Sequence, residues 1–151
     1  MLKEVMHIGL TVKDMEQSIK FYRDILGLSF MGEIVMQGNE TDLLFGKKNS
    51  TCRVCYFNGN DNIMSPPIEL IQFLNDSTKI RKADLFSVSI NEICFRVDNL
   101  DLEYNRLNKL GIKFLSKPQI FDFTKYGFSK SKAVYFYDVN GIILELMEVI
   151  D

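Results

Sequence analysis

The chain is poor in the residues that most often announce a function. It holds a single histidine, His7, and three cysteines among 151 residues. Lysine and arginine number 18 against 20 acidic residues, for a net charge of −2. A nucleic-acid-binding face would need a basic excess, and none is present. No apolar run approaches the roughly 18 residues needed to cross a bilayer, so a membrane partner is not expected. The opening Met1-Leu2-Lys3-Glu4-Val5 lacks the apolar stretch of a secretory signal. With an odd cysteine count, this predicts a reducing, cytoplasmic setting. Cys52 and Cys55 have CxxC spacing but sit in a strand-like segment. Residues three apart on a strand point to opposite faces, which excludes joint chelation of one ion. Cys94 reads as a small core residue.

What is present is the composition of a globular protein: 46% hydrophobic and 25% charged. It is enough for one compact domain or two small fused modules. The chain also repeats itself. His7-Ile8-Gly9-Leu10-Thr11-Val12 is followed by Asp14, a helical run, and Leu26-Gly27-Leu28-Ser29-Phe30. Glu92-Ile93-Cys94-Phe95-Arg96-Val97 is followed by Asn99, a helical run, and Leu110-Gly111-Ile112-Lys113-Phe114. Each half later carries a glutamate between apolar residues, Ile68-Glu69-Leu70 and Leu144-Glu145-Leu146.

Each repeat has local causes. Asp14 caps a helix whose third residue is Gln17, a capping-box variant. Met15, Ile19, Tyr22 and Leu26 form one apolar stripe, and Gly27 provides the stop. In the second half Asn99 is the cap, Leu100, Tyr104, Leu107 and Leu110 the stripe, and Gly111 the stop. Strand signals cover 30–37, 51–57, 68–73, 131–137 and 142–149. Asn58-Gly59-Asn60-Asp61-Asn62 is loop chemistry, Pro66-Pro67 precedes a strand, and Asp138-Val139-Asn140-Gly141 reads as a hairpin turn. The expected fold class is α+β: two tandem βαβββ modules, 1–75 and 90–151, joined by a linker at 76–89, with mixed and antiparallel sheets around a shared site. Residues 116–130 read as a long loop carrying Phe121, Phe123, Tyr126 and Phe128. Such a loop serves as a binding lid, or is simply anchored by its own aromatics.

Alternation along strands groups the polar residues. His7, Gly9 and Thr11 share a face, as do Glu92, Cys94 and Arg96. His7 occupies the position in the first half that Glu92 occupies in the second. Under pseudo-twofold symmetry His7, Glu69, Glu92 and Glu145 converge. One imidazole and three carboxylates can hold a divalent ion: carboxylates favour Mg or Mn, and imidazole also suits Ni, Fe or Zn. Each residue also has a bland account: a core histidine, or a glutamate pointing to solvent from a half-buried strand. Arg96 offers a rival, neutralising the carboxylates without any metal.

The opening unit, with Ser18-Ile19-Lys20-Phe21-Tyr22-Arg23-Asp24-Ile25-Leu26-Gly27-Leu28, and the closing Tyr137-Asp138-Val139-Asn140-Gly141-Ile142-Ile143-Leu144-Glu145-Leu146 resemble the vicinal-oxygen-chelate superfamily. That superfamily includes glyoxalase I, methylmalonyl-CoA epimerase, extradiol dioxygenases and bleomycin or fosfomycin resistance proteins. The resemblance covers nearly the whole chain, but the fold hosts many chemistries. It implies metal ligands at His7, Glu69, Glu92 and Glu145, with Glu145 as proton shuttle and Glu69 as second choice. Glu92 stands where glyoxalase I and the epimerases usually have a second histidine, which makes the site more anionic and argues against an extradiol dioxygenase. Thr11, Arg96, Phe121, Phe123, Tyr126 and Phe128 are the expected substrate contacts. The implied activity is a lactoylglutathione lyase-like isomerase or lyase that passes through an enolate of a small vicinal-oxygen substrate. The alternatives are a methylmalonyl-CoA epimerase-like isomerase and a non-catalytic ligand-sequestering protein. A homodimer is expected by resemblance.

Overall fold

The computed structural model describes residues 5–58 and 68–150. The Gly59–Asn62 part of the asparagine-rich loop and the Pro66-Pro67 pair lie outside the described residues. The chain divides into two compact units, 1–80 and 81–151. Each contains one four-stranded mixed sheet, and the class is α+β. No helix among the described residues is long and apolar enough to cross a membrane.

In the first unit the sheet order is β1 (Ile8–Thr11), β4 (Ile68–Phe73), β3 (Thr51–Asn58), β2 (Ser29–Gln37). β1 runs parallel to β4, and the other pairs are antiparallel. Asp14 starts helix α1 (Met15–Ile19) by accepting from the Gln17 backbone N–H at 3.0 Å. The Gln17 side chain returns to the Asp14 carboxylate, not to its backbone N–H as in a standard capping box. α1 continues as a π-helical stretch, Lys20–Ile25, whose wider winding accompanies the burial of two adjacent aromatics, Phe21 and Tyr22. They pack with Val12, Met15, Phe57 and Leu70 to form the core under one face of the sheet. A short helix not expected from the sequence, α2 (Asn39–Phe45), sits between β2 and β3, bracketed by Gly38 and Gly46 at positive φ.

The second unit repeats the plan with sheet order β5 (Ile93–Arg96), β8 (Ile143–Ile150), β7 (Lys130–Tyr137), β6 (Gln119–Asp122). Asn99 caps α3 (Leu100–Lys109) through the Leu102 N–H at 2.9 Å, and Glu148 accepts from the Leu100 N–H at 2.8 Å. Leu100 and Leu107 are buried, whereas Leu110 is exposed, so the stripe ends a turn earlier than its spacing suggests. Asp138 is buried and accepts from the Asn140 and Ile142 backbone N–H groups at 2.8 Å each, which fixes the turn between β7 and β8.

Two expectations for this half need correction. The second strand of the βαβββ plan, due at Ile112-Lys113-Phe114 after Gly111, is reduced to a single bridge between Phe114 and Phe136. Pro118 follows closely and cannot donate to a ladder, so the pairing restarts only at β6. Consequently 116–130 is not one long loop. It contains β6, paired to β7, and a 3₁₀ turn at Thr124–Tyr126.

Candidate active site

Strand register decides which side chains meet. In the first unit the parallel ladder pairs Gly9 with Glu69, and the antiparallel ladder pairs Tyr56 with Glu69. Three strands therefore place His7, Glu69 and Tyr56 on the sheet face opposite the helix. The imidazole Nε2 of His7, just before β1, lies 3.4 Å from Glu69 Oε2. The Tyr56 hydroxyl donates to Glu69, and burial together with that bond raises the tyrosine above its ordinary range. A β-carbon on residue 9 would come within 3.4 Å of Glu69 Oε2, so glycine leaves the carboxylate room over β1. Thr11 is two residues further along the same strand face, beside Ile71, and is exposed.

The second unit builds the equivalent trio from β5, β8 and β7. Cys94 and Tyr135 stand directly opposite Glu145 in the two ladders. Cys94 is exposed rather than a core residue, because alternation turns Ile93 to the core and the thiol to the opposite face. Its thiol is hydrogen-bonded to Glu145; desolvation, that bond and the charges of Glu145 and Glu92 push it up to about 12. Glu145 is 7% exposed. Desolvation raises its carboxyl above the ordinary carboxylate range; the Cys94 bond opposes this and the charge of Glu92 adds to it. Tyr135 is raised by burial and then by the same two carboxylates.

Glu145 opens into a cavity of about 210 Å³. It is lined by Ser116, Gln119, Phe121, Ala133, Val134, Tyr135 and Glu145. Phe121 in β6 and Phe123 just after it stack with rings 5.7 Å apart and 3° from parallel. Tyr126 and Phe128 are exposed and do not line this cavity; the Lys125 ammonium sits 4.7 Å from the centre of the Tyr126 ring. Arg96 lies on the Cys94 face but beside Met147, and makes no ion pair with Glu92 or Glu145 among the described residues. The rival account, in which Arg96 neutralises the carboxylates, therefore lacks its ion pair.

Sequence reading missed Tyr56 and Tyr135. Their signal was available in the repeat itself, since Tyr-Phe recurs in Cys55-Tyr56-Phe57 and Val134-Tyr135-Phe136. The donor chemistry of His7, Glu69, Glu92 and Glu145 suits a divalent ion, and the space left by Gly9 keeps Glu69 accessible to one. Among the described residues no three His, Cys, Asp or Glu side chains gather into one group able to hold a metal. Each unit taken alone offers two of the four donors.

A family model for the glyoxalase/bleomycin resistance protein/dioxygenase superfamily matches residues 6–128. The chain belongs to that superfamily. A lactoylglutathione lyase from Schizosaccharomyces pombe is 24% identical over 126 residues, covering 74% of this chain. The chain spans only 38% of that relative's length. Among solved structures, a glyoxalase family protein from Bacillus cereus superposes with a TM-score of 0.83 at 20% identity, covering 100% of this chain and 97% of that one. TnmS3, an antibiotic binding protein from Streptomyces sp. CB03234, superposes at 0.66 with 14% identity, covering 99% and 98%. These likenesses establish a glyoxalase-type fold, which hosts both enzymes and binding proteins.

Proposed function

We propose that this superfamily member is a metal-dependent isomerase or lyase of the glyoxalase type, acting on a small substrate with two adjacent oxygens. The observation that carries the reading is Glu145: a desolvated carboxylate, raised in pKa, that opens into a cavity. A carboxylate in that state is a stronger base than one in water, which suits removal of a proton from carbon next to a carbonyl. Tyr135, on the neighbouring strand and in the same cavity, supplies an O–H to a substrate oxygen. Cys94 holds the Glu145 carboxylate in place through its hydrogen bond. In the other half Glu69 is already engaged by Tyr56 and His7, which fits a binding role better than proton transfer.

His7 and Glu69 from one half, and Glu92 and Glu145 from the other, would hold the divalent ion, the two pairs coming from one chain or from two. When bound, such an ion supplies Lewis acidity to substrate oxygens. The test is exchange of the substrate C–H with solvent deuterium, followed by NMR over a panel of hemithioacetals and small α-hydroxy ketones. Wild type exchanges, and Glu145→Gln is slower by about 10²-fold or more, the usual contribution of a positioned base. Equal rates would reject the assignment. Turnover of an acyl thioester with none on this panel would assign the chain to the epimerase alternative instead. A ligand-sequestering role draws support from the stacked Phe121–Phe123 pair, and ligand binding without exchange by wild type would establish it.

A further inference from the structure

We infer that the cavity beside Glu145 selects an uncharged, ring-bearing small molecule with adjacent oxygens, such as an aryl α-hydroxy ketone, over an anionic thiol-peptide conjugate. The inference rests on the reading of Glu145 as the proton-transfer group, and adds the class of molecule placed against it.

Size is the first ground. At about 210 Å³ the cavity falls below the roughly 300–1,000 Å³ of pockets that enclose drug-sized ligands. One ring with a short polar substituent suits it, and Ala133, the small residue between Gln119 and Tyr135, leaves the room.

Charge is the second. Among the described lining residues there is no lysine or arginine, and Glu145 is the one carboxylate. An anion entering here would meet a like charge with no lysine or arginine to offset it, and a divalent ion held by three carboxylates and an imidazole would still leave the site anionic. The lysines of β7 lie on alternate positions from Ser131, Ala133 and Tyr135, and are ion-paired: Lys130 with Asp122 and Lys132 with Asp101. On the cavity-side face the cations are further off. Lys82 is held over the Tyr137 ring at 4.8 Å, and Arg96 stands beside Met147.

Shape is the third. Gln119 and Phe121 share one face of β6 and line the cavity, and the Phe123 ring stacks on Phe121 beside that lining. Phe121 and Phe123 remain 42% and 40% exposed, apolar surface that a flat ligand would cover. A ring laid on Phe121 directs its polar end toward Tyr135 and Glu145. The Tyr56 hydroxyl is committed to Glu69, but Cys94 takes the equivalent place on Glu145, and the Tyr135 hydroxyl bonds to no described residue. It is available to a ligand oxygen.

The experiment is calorimetric titration of the full chain with 2-hydroxyacetophenone and with S-benzylglutathione, which carry the same phenyl ring. The hydroxy ketone is expected to bind at least tenfold more tightly. Phe121→Ala is expected to weaken it by about three- to tenfold, the range of one aromatic contact, and Ala133→Val to weaken it by filling the floor. Tighter binding of the glutathione conjugate, or hydroxy-ketone binding unchanged in both variants, overturns the inference. Deuterium exchange on the same samples separates the two claims. A ketone that binds through Phe121 but never exchanges would sustain the ligand class and sink the proton-transfer reading. Exchange on a glutathione hemithioacetal without ketone binding would do the reverse.

Discussion

Replacing Glu145 with glutamine should make the protein more stable at neutral pH while disabling it. The carboxylate is 7% exposed, its recognised donor is a thiol, and Glu92 adds like charge. Desolvation of an ionised group so placed, offset only by a thiol donor, costs about 1–3 kcal/mol. Because the folded-state pKa is raised, the native protein binds this proton more tightly than the unfolded chain does. The contribution to stability is therefore full below the unfolded value near 4.5 and is lost as pH rises through the folded one. Glutamine keeps the shape and removes the charge. Thermal melts without divalent ions, followed by circular dichroism from pH 4 to 8.5, should place the Glu145→Gln midpoint above wild type at pH 7. At about 2–4 °C per kcal/mol for a chain of this size, the gain is roughly 2–12 °C. The gap should close toward pH 4. A variant no more stable than wild type at pH 7, or a gap that widens on acidification, would refute the reasoning. Gain of stability with loss of turnover is the pattern expected where a functional group is held in an unfavourable setting.

Three further outcomes follow from the same geometry. Asp138→Ala leaves one buried and one part-buried backbone N–H without their acceptor and should cost about 1–3 kcal/mol, read as a lowered denaturation midpoint. Cys94, pushed up to about 12, should react with iodoacetamide at pH 8 more than tenfold more slowly than a free cysteine, and comparable rates would contradict the contact with Glu145. Protein purified without chelator should carry roughly one divalent ion per chain by elemental analysis, as expected of a metal-assisted site, with less in His7→Ala and Glu69→Gln; an absence of ion after incubation with Mn²⁺, Ni²⁺, Zn²⁺ and Mg²⁺ would remove the metal from the account.

The features legible in the sequence were those with short-range causes. Asp14 and Asn99 announced both helix starts, and the Asp138–Gly141 turn set the final hairpin. Repetition of those signals disclosed the tandem plan and made Glu69 and Glu145 equivalent. Features set by register were hidden. Nothing in the spacing of Tyr56 and Glu69, or of Tyr135 and Glu145, reveals that the ladders set them side by side. Cys94 was misread because residue type was weighed above alternation, which sets it on the face of Glu92 and Arg96, away from buried Ile93. β6 was hidden because Pro118 breaks the strand and its aromatics resemble a loop. Seven-residue α2 is too short to display a helical period.

The central claim is that Glu145 moves a proton between substrate carbon and solvent. Its most direct test is deuterium exchange at the substrate C–H in wild type and Glu145→Gln, with binding of the same compound measured alongside. The account predicts exchange by wild type and at least about a hundredfold loss in the variant with binding retained. Exchange by Glu145→Gln at the wild-type rate would contradict it.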